Sequence, residues 1–285
     1  MSNSNLPLKD SMSKPSSPPR KHGPGNDSGR FYTPGFYSFH ADRSRRSAAR
    51  VVPFIVDRLN CKSVLDVGCG DGAWLAAFRQ CGIADLRGLD GDYVHPDRLV
   101  IPPEDFKAVD LRGNWNCGRK FDLVVSLEVA EHLPPENAEA FVGALADHGD
   151  VVLFSAAIPG QGGTYHLNEQ WPDYWSRLFA HRGYLQCDWI RLRFWDDPDV
   201  EWWYVQNAFV YINQSKLAQY KAADSLKAHR ALDGLSVVHP RLLEMARQEI
   251  ADLRRQPPTG WLVRSIPAAL TRSFRRRWRR WMHPD

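Results

Sequence analysis

Long apolar runs are missing from this 285-residue chain. No stretch approaches the roughly 18 consecutive apolar residues that a membrane-spanning helix needs. The first residues carry no apolar signal core, so no secretory leader is expected. Cysteine is sparse: the five, Cys61, Cys69, Cys81, Cys117 and Cys187, are odd in number and form no C-x-x-C pair. That argues against a disulfide framework or a cysteine zinc site, and for free thiols in a reducing compartment. No H-x-x-x-H or facial-triad spacing appears, so no metal is expected. Repeats are absent as well. Net charge is only +4, and it is unevenly spread. Residues 256–285 hold seven arginines and one acid, a local +6, which leaves the remainder at −2. A basic excess confined to one end argues against a nucleic-acid groove on the main body.

What the chain does have is a dense glycine loop. Residues 63–78 read SVLDVGCGDGAWLAAF. A short apolar run ends in Gly68-Cys69-Gly70-Asp71-Gly72, and helix formers follow. This is strand, tight turn and helix, the opening unit of a doubly wound α/β sheet. Glycines there admit positive φ and leave no Cβ, so backbone N–H groups approach a ligand closely. Gly68, Gly70 and Ala73 satisfy G-x-G-x-x-G/A, which leaves a dinucleotide such as NAD open. Asp66, an acid inside the strand two residues before the first glycine, suits a cationic amine better than a pyrophosphate. Residues 84–90 read as the second strand. They end in Asp90, an acid placed to accept hydrogen bonds from ribose hydroxyls. Asp92 and Tyr93 follow directly.

Residues 106–111 read as a third strand ending in Asp110-Leu111. Residues 121–127, FDLVVSL, form a nearly continuous apolar run, as a central parallel strand should. They lead into Glu128-Val129-Ala130-Glu131-His132-Leu133-Pro134. Residues 150–159 read as the fifth strand. A glycine-flexed loop follows, GQGGTYHLNEQWP at 160–172, crowded with polar and aromatic groups. Such crowding beyond a strand's C-terminal end is a functional signal, and Gly160, Gly162 and Gly163 suit a loop that closes over an acceptor.

D-V-G-C-G-D-G resembles motif I of the class I S-adenosylmethionine-dependent methyltransferases, and E-V-x-E-H-L-P resembles the segment after their fourth strand. H-x-N-E-Q-W-P-x-Y-W is similar to a bacterial subgroup associated with glycan and secondary-metabolite pathways. The resemblance covers about residues 47–213. It implies an α/β fold: a doubly wound, mostly parallel seven-stranded sheet closed by a C-terminal antiparallel hairpin. It implies S-adenosylmethionine as cofactor, with Asp66, Gly68 and Gly70 at the cofactor and Asp66 near its methionine amino group, Asp90 at the ribose, Asp110 and Leu111 at the adenine, and Glu128 at the crevice. Two histidines at strand ends, His132 and His166, are candidates for the general base, since an unperturbed imidazole titrates near about 6.5. His166 is favoured, with Glu169 to orient it or to bind substrate. The aromatic groups Tyr165, Trp171, Tyr174 and Trp175 suit a sugar face, or simple packing.

Elsewhere, residues 1–30 read as disordered. Residues 31–39 read as an aromatic arm. Residues 46–59 read as a helix with Ala49, Val52, Ile55, Val56 and Leu59 on its apolar face and Pro53 inside it. Residues 31–213 are expected to form the catalytic domain. Within it, 174–181 reads as a helix, and 184–195 and 202–212 as two strands joined by a turn at 196–199. Residues 214–285 read as a helical extension, with helices at 216–229 and 240–255. In the tail, 261–282, Ile266, Leu270, Phe274, Trp278 and Trp281 fall on one side of a helical wheel and most of the arginines on the other. This basic amphipathic pattern reads as a peripheral membrane anchor on a cytoplasmic face, with docking on protein as the alternative. Three functions stay open: O-methylation of a saccharide or related small molecule, lipid-linked or free; a nicotinamide-dependent oxidation; and non-catalytic cofactor binding.

Overall fold

The computed structural model describes residues 34–220 and 236–255. The expectations for residues 1–30, for the start of the aromatic arm and for the 261–282 tail lie outside them. Helix α1 (Pro34–Leu59) leads into β1 (Ser63–Val67), α2 (Ala73–Gln80), β2 (Asp85–Asp90), β3 (Phe106–Ala108) and β4 (Leu123–Leu127). Then come α3 (Ala138–His148), β5 (Val151–Ser155), α4 (Pro172–His181), β6 (Tyr184–Cys187), α5 (Trp189–Phe194), α6 (Trp202–Asn207) and β7 (Phe209–Asn213). Helix α7 (Pro240–Arg255) follows at the end of the described chain.

The seven strands form one sheet in the order β3-β2-β1-β4-β5-β7-β6. β3 to β5 run parallel across it; β7 is antiparallel to β5, and β6 antiparallel to β7. All five residues of β4 and of β5 are buried, as central strands covered by helices on both faces require. The order reverses between β1 and β4, so the crevice beyond the C-terminal ends of these two strands is the natural ligand position. One face of the sheet packs on α1 and α2 through Val52, Ile55, Leu75 and Phe78. The other packs on α3 and α4 through Phe141, Leu145, Phe154 and Phe179.

Five expectations need correction. Residues 184–195 are not one strand: β6 stops at Cys187 and α5 begins at Trp189, burying Trp189, Ile190 and Phe194. Residues 202–212 likewise begin as α6 and become strand only at Phe209. The antiparallel pair is therefore joined by two short helices rather than a turn. The aromatic residues that suggested strands serve as helix anchors, Trp74 and Tyr204 meeting edge to face at 5.2 Å. Third, α1 buries Ala48, Val51, Val52 and Ile55, whereas Ala49 faces solvent. Strand β3 ends at Ala108, which puts Asp110 and Leu111 on the loop beyond it. The helix expected over 216–229 opens as a 3-10 turn, Gln214–Gln219, and from 221 lies outside the described residues.

Candidate functional site

A cleft of about 2120 Å³ opens over the ends of β1, β2 and β4, and α7 contributes one wall. Asp66, Gly68, Gly70, Asp90, Asp110, Leu111, Glu128, His132 and His166 all line it, whereas Glu169, Trp171, Tyr174 and Trp175 do not.

The glycine loop is held by β2. The Gly68 and Cys69 amides both donate to the Leu89 carbonyl, at 2.7 and 3.1 Å. Gly68, at φ +82°, passes so close to Val129 that a Cβ would lie 2.3 Å from a valine methyl. Gly70, at φ +56°, has nothing within 4 Å of where its Cβ would stand, so its missing side chain is open cleft. Asp90 holds the loop's far end: Oδ2 accepts the Gly70 amide at 2.7 Å and Oδ1 the Gly91 amide at 2.7 Å. The Tyr93 hydroxyl also donates to Oδ1. Burial raises the Asp90 carboxyl, and these three donors oppose the shift. Asp66 is only 3% exposed, and its Oδ2 is buried with no hydrogen-bond partner. Burial, then the nearby Asp90 and Asp71 carboxylates, push its pKa well above the usual carboxylate range. Asp110, by contrast, is exposed and forked to Arg112 at 2.9 and 2.8 Å, which lowers its pKa.

Glu128 sits at the end of β4 in left-handed backbone, φ +56°, a conformation uncommon for a residue with a side chain. Its amide is held by the Ser155 carbonyl and Oγ, at 3.1 and 3.0 Å. The carboxylate accepts from Gln161 Nε2 at 2.7 Å and Asn207 Nδ2 at 3.1 Å. Burial raises its pKa against these donors. Sequence reasoning missed both amides. The clue was a polar Gln206-Asn207 pair inside an otherwise aromatic and apolar run, residues buried to 0% and 3% exposure.

The two histidines meet. Their rings stand edge to face with centroids 4.9 Å apart. His166 Nδ1 lies 2.8 Å from Glu169 Oε1, while Glu169 Oε2 accepts the Gly160 amide at 2.8 Å. His132 Nδ1 lies 3.3 Å from the Tyr165 carbonyl. Desolvation first, then the neighbouring His166, pulls His132 down to about 4, so it is neutral near pH 7. Glu131, unassigned from the sequence, lies close to the pair, 1% exposed, with no well-formed hydrogen bond to either carboxylate oxygen. Burial, then Glu128, holds its pKa well above the ordinary range. The absence of metal spacing in the sequence does not carry over to the fold: ligand atoms of Glu131, His132 and His166 all lie within 4.8 Å of one another. Of the aromatic candidates, Trp175 is buried core, and Tyr165 is 45% exposed at the cleft.

A family model described as a methyltransferase domain matches residues 39–211. No curated protein matches the chain. Among solved structures, the sugar N-methyltransferase KedS8 from Streptoalloteichus sp ATCC 53650 is 16% identical, with a TM-score of 0.51, over 72% of this chain and 99% of that one. DesVI of Streptomyces venezuelae is 26% identical with a TM-score of 0.37; the match covers 49% of this chain and 61% of DesVI. CalS10, an amino pentose methyltransferase from Micromonospora echinaspora, is 20% identical with a TM-score of 0.40, over 65% and 94%. KedS8 shares the fold: a mostly parallel seven-stranded sheet with antiparallel strands at one edge. With more than half its length matched, the chain belongs to the class I S-adenosylmethionine-dependent methyltransferase family, an enzyme of the methyl-transferring class whose cofactor is S-adenosylmethionine.

Proposed function

We propose that this enzyme methylates a hydroxyl of a saccharide or related small molecule, in glycan or secondary-metabolite biosynthesis. The observation that carries the reading is the imidazole of His166, oriented by Glu169 at 2.8 Å on the wall of the cleft. An amine attacks through its own lone pair, whereas a hydroxyl must lose a proton as it attacks. With Nδ1 engaged by Glu169, Nε2 is the nitrogen available to take that proton. Tyr165 and Trp203, also on the cleft wall, offer ring faces suited to a sugar's apolar side.

The residues at the glycine loop fit the cofactor. Asp66 Oδ2 is a buried acceptor without a donor, suited to the amino group of the methionine end. Gly70 leaves the room a side chain would fill. Asp90 serves the ribose, Asp110 and Leu111 the adenine, and Glu128 the crevice between cofactor and acceptor. S-adenosylmethionine, when bound, supplies an electrophilic methyl on a positively charged sulfur. The carboxylates of Asp66 and Glu128 favour that charge, and the His166–Glu169 pair handles the acceptor's proton. A nicotinamide-dependent oxidation falls away with the family assignment.

The test is transfer of radiolabelled methyl from the donor to a small-molecule extract. Label in an alkali-stable ether on a sugar hydroxyl supports the reading; label on nitrogen, or none at all, overturns it.

The 261–282 tail supports a second element of the proposal, peripheral attachment to a cytoplasmic membrane face, in bacteria the inner membrane. No helix among the described residues is long and apolar enough to cross a membrane. Anionic lipid offers about 1 kcal/mol per basic residue near the surface, and the tail combines arginines with tryptophans. Lipid-linked saccharides would then lie within reach. The full chain should sediment with anionic vesicles at low salt, and a form ending at Gln256 should stay in the supernatant. Equal behaviour of the two would make the tail a docking segment on protein.

A further inference from the structure

We propose that Glu131, His132 and His166 form a binding site for a divalent first-row transition cation. Four observations converge. Ligand atoms of the three side chains lie within 4.8 Å of one another on the wall of the cleft. Glu131 is 1% exposed, neither of its oxygens makes a well-formed hydrogen bond, and only the backbone of Glu131 and Ala157 opposes the cost of burying its carboxylate. Each imidazole already spends Nδ1 on an oriented acceptor: His132 on the Tyr165 carbonyl at 3.3 Å, His166 on Glu169 at 2.8 Å. That is the outer-shell arrangement of metal-ligating histidines, in which a carbonyl or carboxylate fixes the tautomer and leaves Nε2 to the metal. Finally, Gly163 has no side chain where one would collide with the His166 ring, 2.2 Å from its Nε2, so the loop permits this ring position only with glycine.

Two imidazoles and one carboxylate suit iron(II), cobalt(II), nickel(II) or zinc(II) better than magnesium or calcium, which prefer all-oxygen sets. Three protein ligands leave coordination positions open, and these face the cleft. The class of ligand there is an oxygen donor: water, or a hydroxyl of the acceptor. For that last role the inference rests on the methyl-transfer reading. A cation-bound hydroxyl is more acidic, so its proton leaves to solvent and the oxygen keeps the electron pair with which it attacks the methyl carbon. The new C–O bond forms as the C–S bond breaks, and sulfur regains its pair. The two roles of His166 Nε2 belong to two states of the site: ligand when the cation is bound, proton acceptor when it is not.

The test uses the untagged full chain, stripped with a chelator and desalted, then titrated with cobalt(II) alone. Visible d–d absorption is followed, with calorimetry of S-adenosylhomocysteine on the same samples. We expect one equivalent bound, without the thiolate charge-transfer band that a cysteine ligand would give. Glu131→Gln should weaken cobalt binding at least tenfold while leaving S-adenosylhomocysteine affinity in place. Glu169→Gln, on the outer side of His166, should weaken it about 10-fold through orientation alone, and serves if Glu131→Gln does not fold. Silence on titration, a thiolate band, or equal cobalt affinity in wild type and both variants would overturn the site. Cobalt binding with no S-adenosylhomocysteine binding would uphold the site and sink the cofactor reading instead.

Discussion

Asp66 and Asp90 stand side by side at the ends of adjacent strands, both buried, yet the same substitution in each should move stability in opposite directions. Asp90 receives three donors: the Gly70 amide, the Gly91 amide and the Tyr93 hydroxyl. Asp90→Asn keeps one acceptor oxygen and turns an NH₂ toward a buried N–H. At least one charge-assisted bond is lost and a donor is left unsatisfied, a cost of about 1.5–3 kcal/mol. Relief from desolvation, which raises this carboxyl, offsets part of it. Asp66 Oδ2 receives no donor, and burial with two neighbouring carboxylates raises its pKa. Its folded pKa thus lies above the unfolded value of about 3.9. As pH rises past that unfolded value, the unfolded chain releases the proton and the folded chain retains it, so stability falls until the folded pKa is passed. Asp66→Asn abolishes this loss. It should gain about 0.5–2 kcal/mol near pH 7, and the gain should vanish below about pH 4. Both variants should bind S-adenosylhomocysteine more weakly, by roughly 10-fold or more for each 1.4 kcal/mol lost. Urea denaturation of the two variants across pH, with calorimetry of the ligand, reads both effects. A loss of stability in Asp66→Asn matching that of Asp90→Asn, or a gain independent of pH, would refute the reasoning.

Further outcomes follow from the same geometry. His166→Ala should lower turnover about 10²–10⁴-fold with cofactor affinity retained in calorimetry, since its partner is Glu169 and not the glycine loop. Gly68→Ala places a Cβ 2.3 Å from Val129 at φ +82°, and should cost about 1–3 kcal/mol in denaturant unfolding. Asn207→Ala removes a donor from Glu128 and from Gln161 Oε1, and should reduce S-adenosylhomocysteine affinity about 10-fold through loss of Glu128 alignment.

Local grammar carried the front half of the fold. The glycine loop at 68–72 has one economical explanation, a strand-to-helix turn against a ligand, and the acid at 90 falls where the next strand ends. The back half was less legible because Trp, Tyr and Phe at 189–195 and 202–205 suit strands by propensity and helices by packing. Tertiary context decided for helices: α5 tucks Trp189, Ile190 and Phe194 against α1, where Phe54 meets Phe194 edge to face at 5.3 Å. Propensity is weakest evidence where a large ring's burial decides the conformation.

The site shows the same division between local and non-local information. Residues acting through their own backbone neighbourhood were readable, so Asp66, Gly68, Gly70 and Asp90 emerged from one motif and its spacing. Residues acting through contact between distant segments were not. Glu128 is aligned by Gln161 and Asn207 from two other elements, and no spacing within the chain announces that network. Missing metal motifs say nothing about the cluster of Glu131, His132 and His166, for a related reason. Ligand spacing is diagnostic when one helix or one loop supplies the ligands. Here Glu131 and His132 come from the turn after β4, and His166 from the loop after β5. The parallel pairing of β4 with β5 sets those two loops side by side at the same edge of the sheet. Their juxtaposition is a property of the sheet order, and it puts a buried carboxylate beside two oriented imidazoles at the place where a doubly wound sheet binds its ligands.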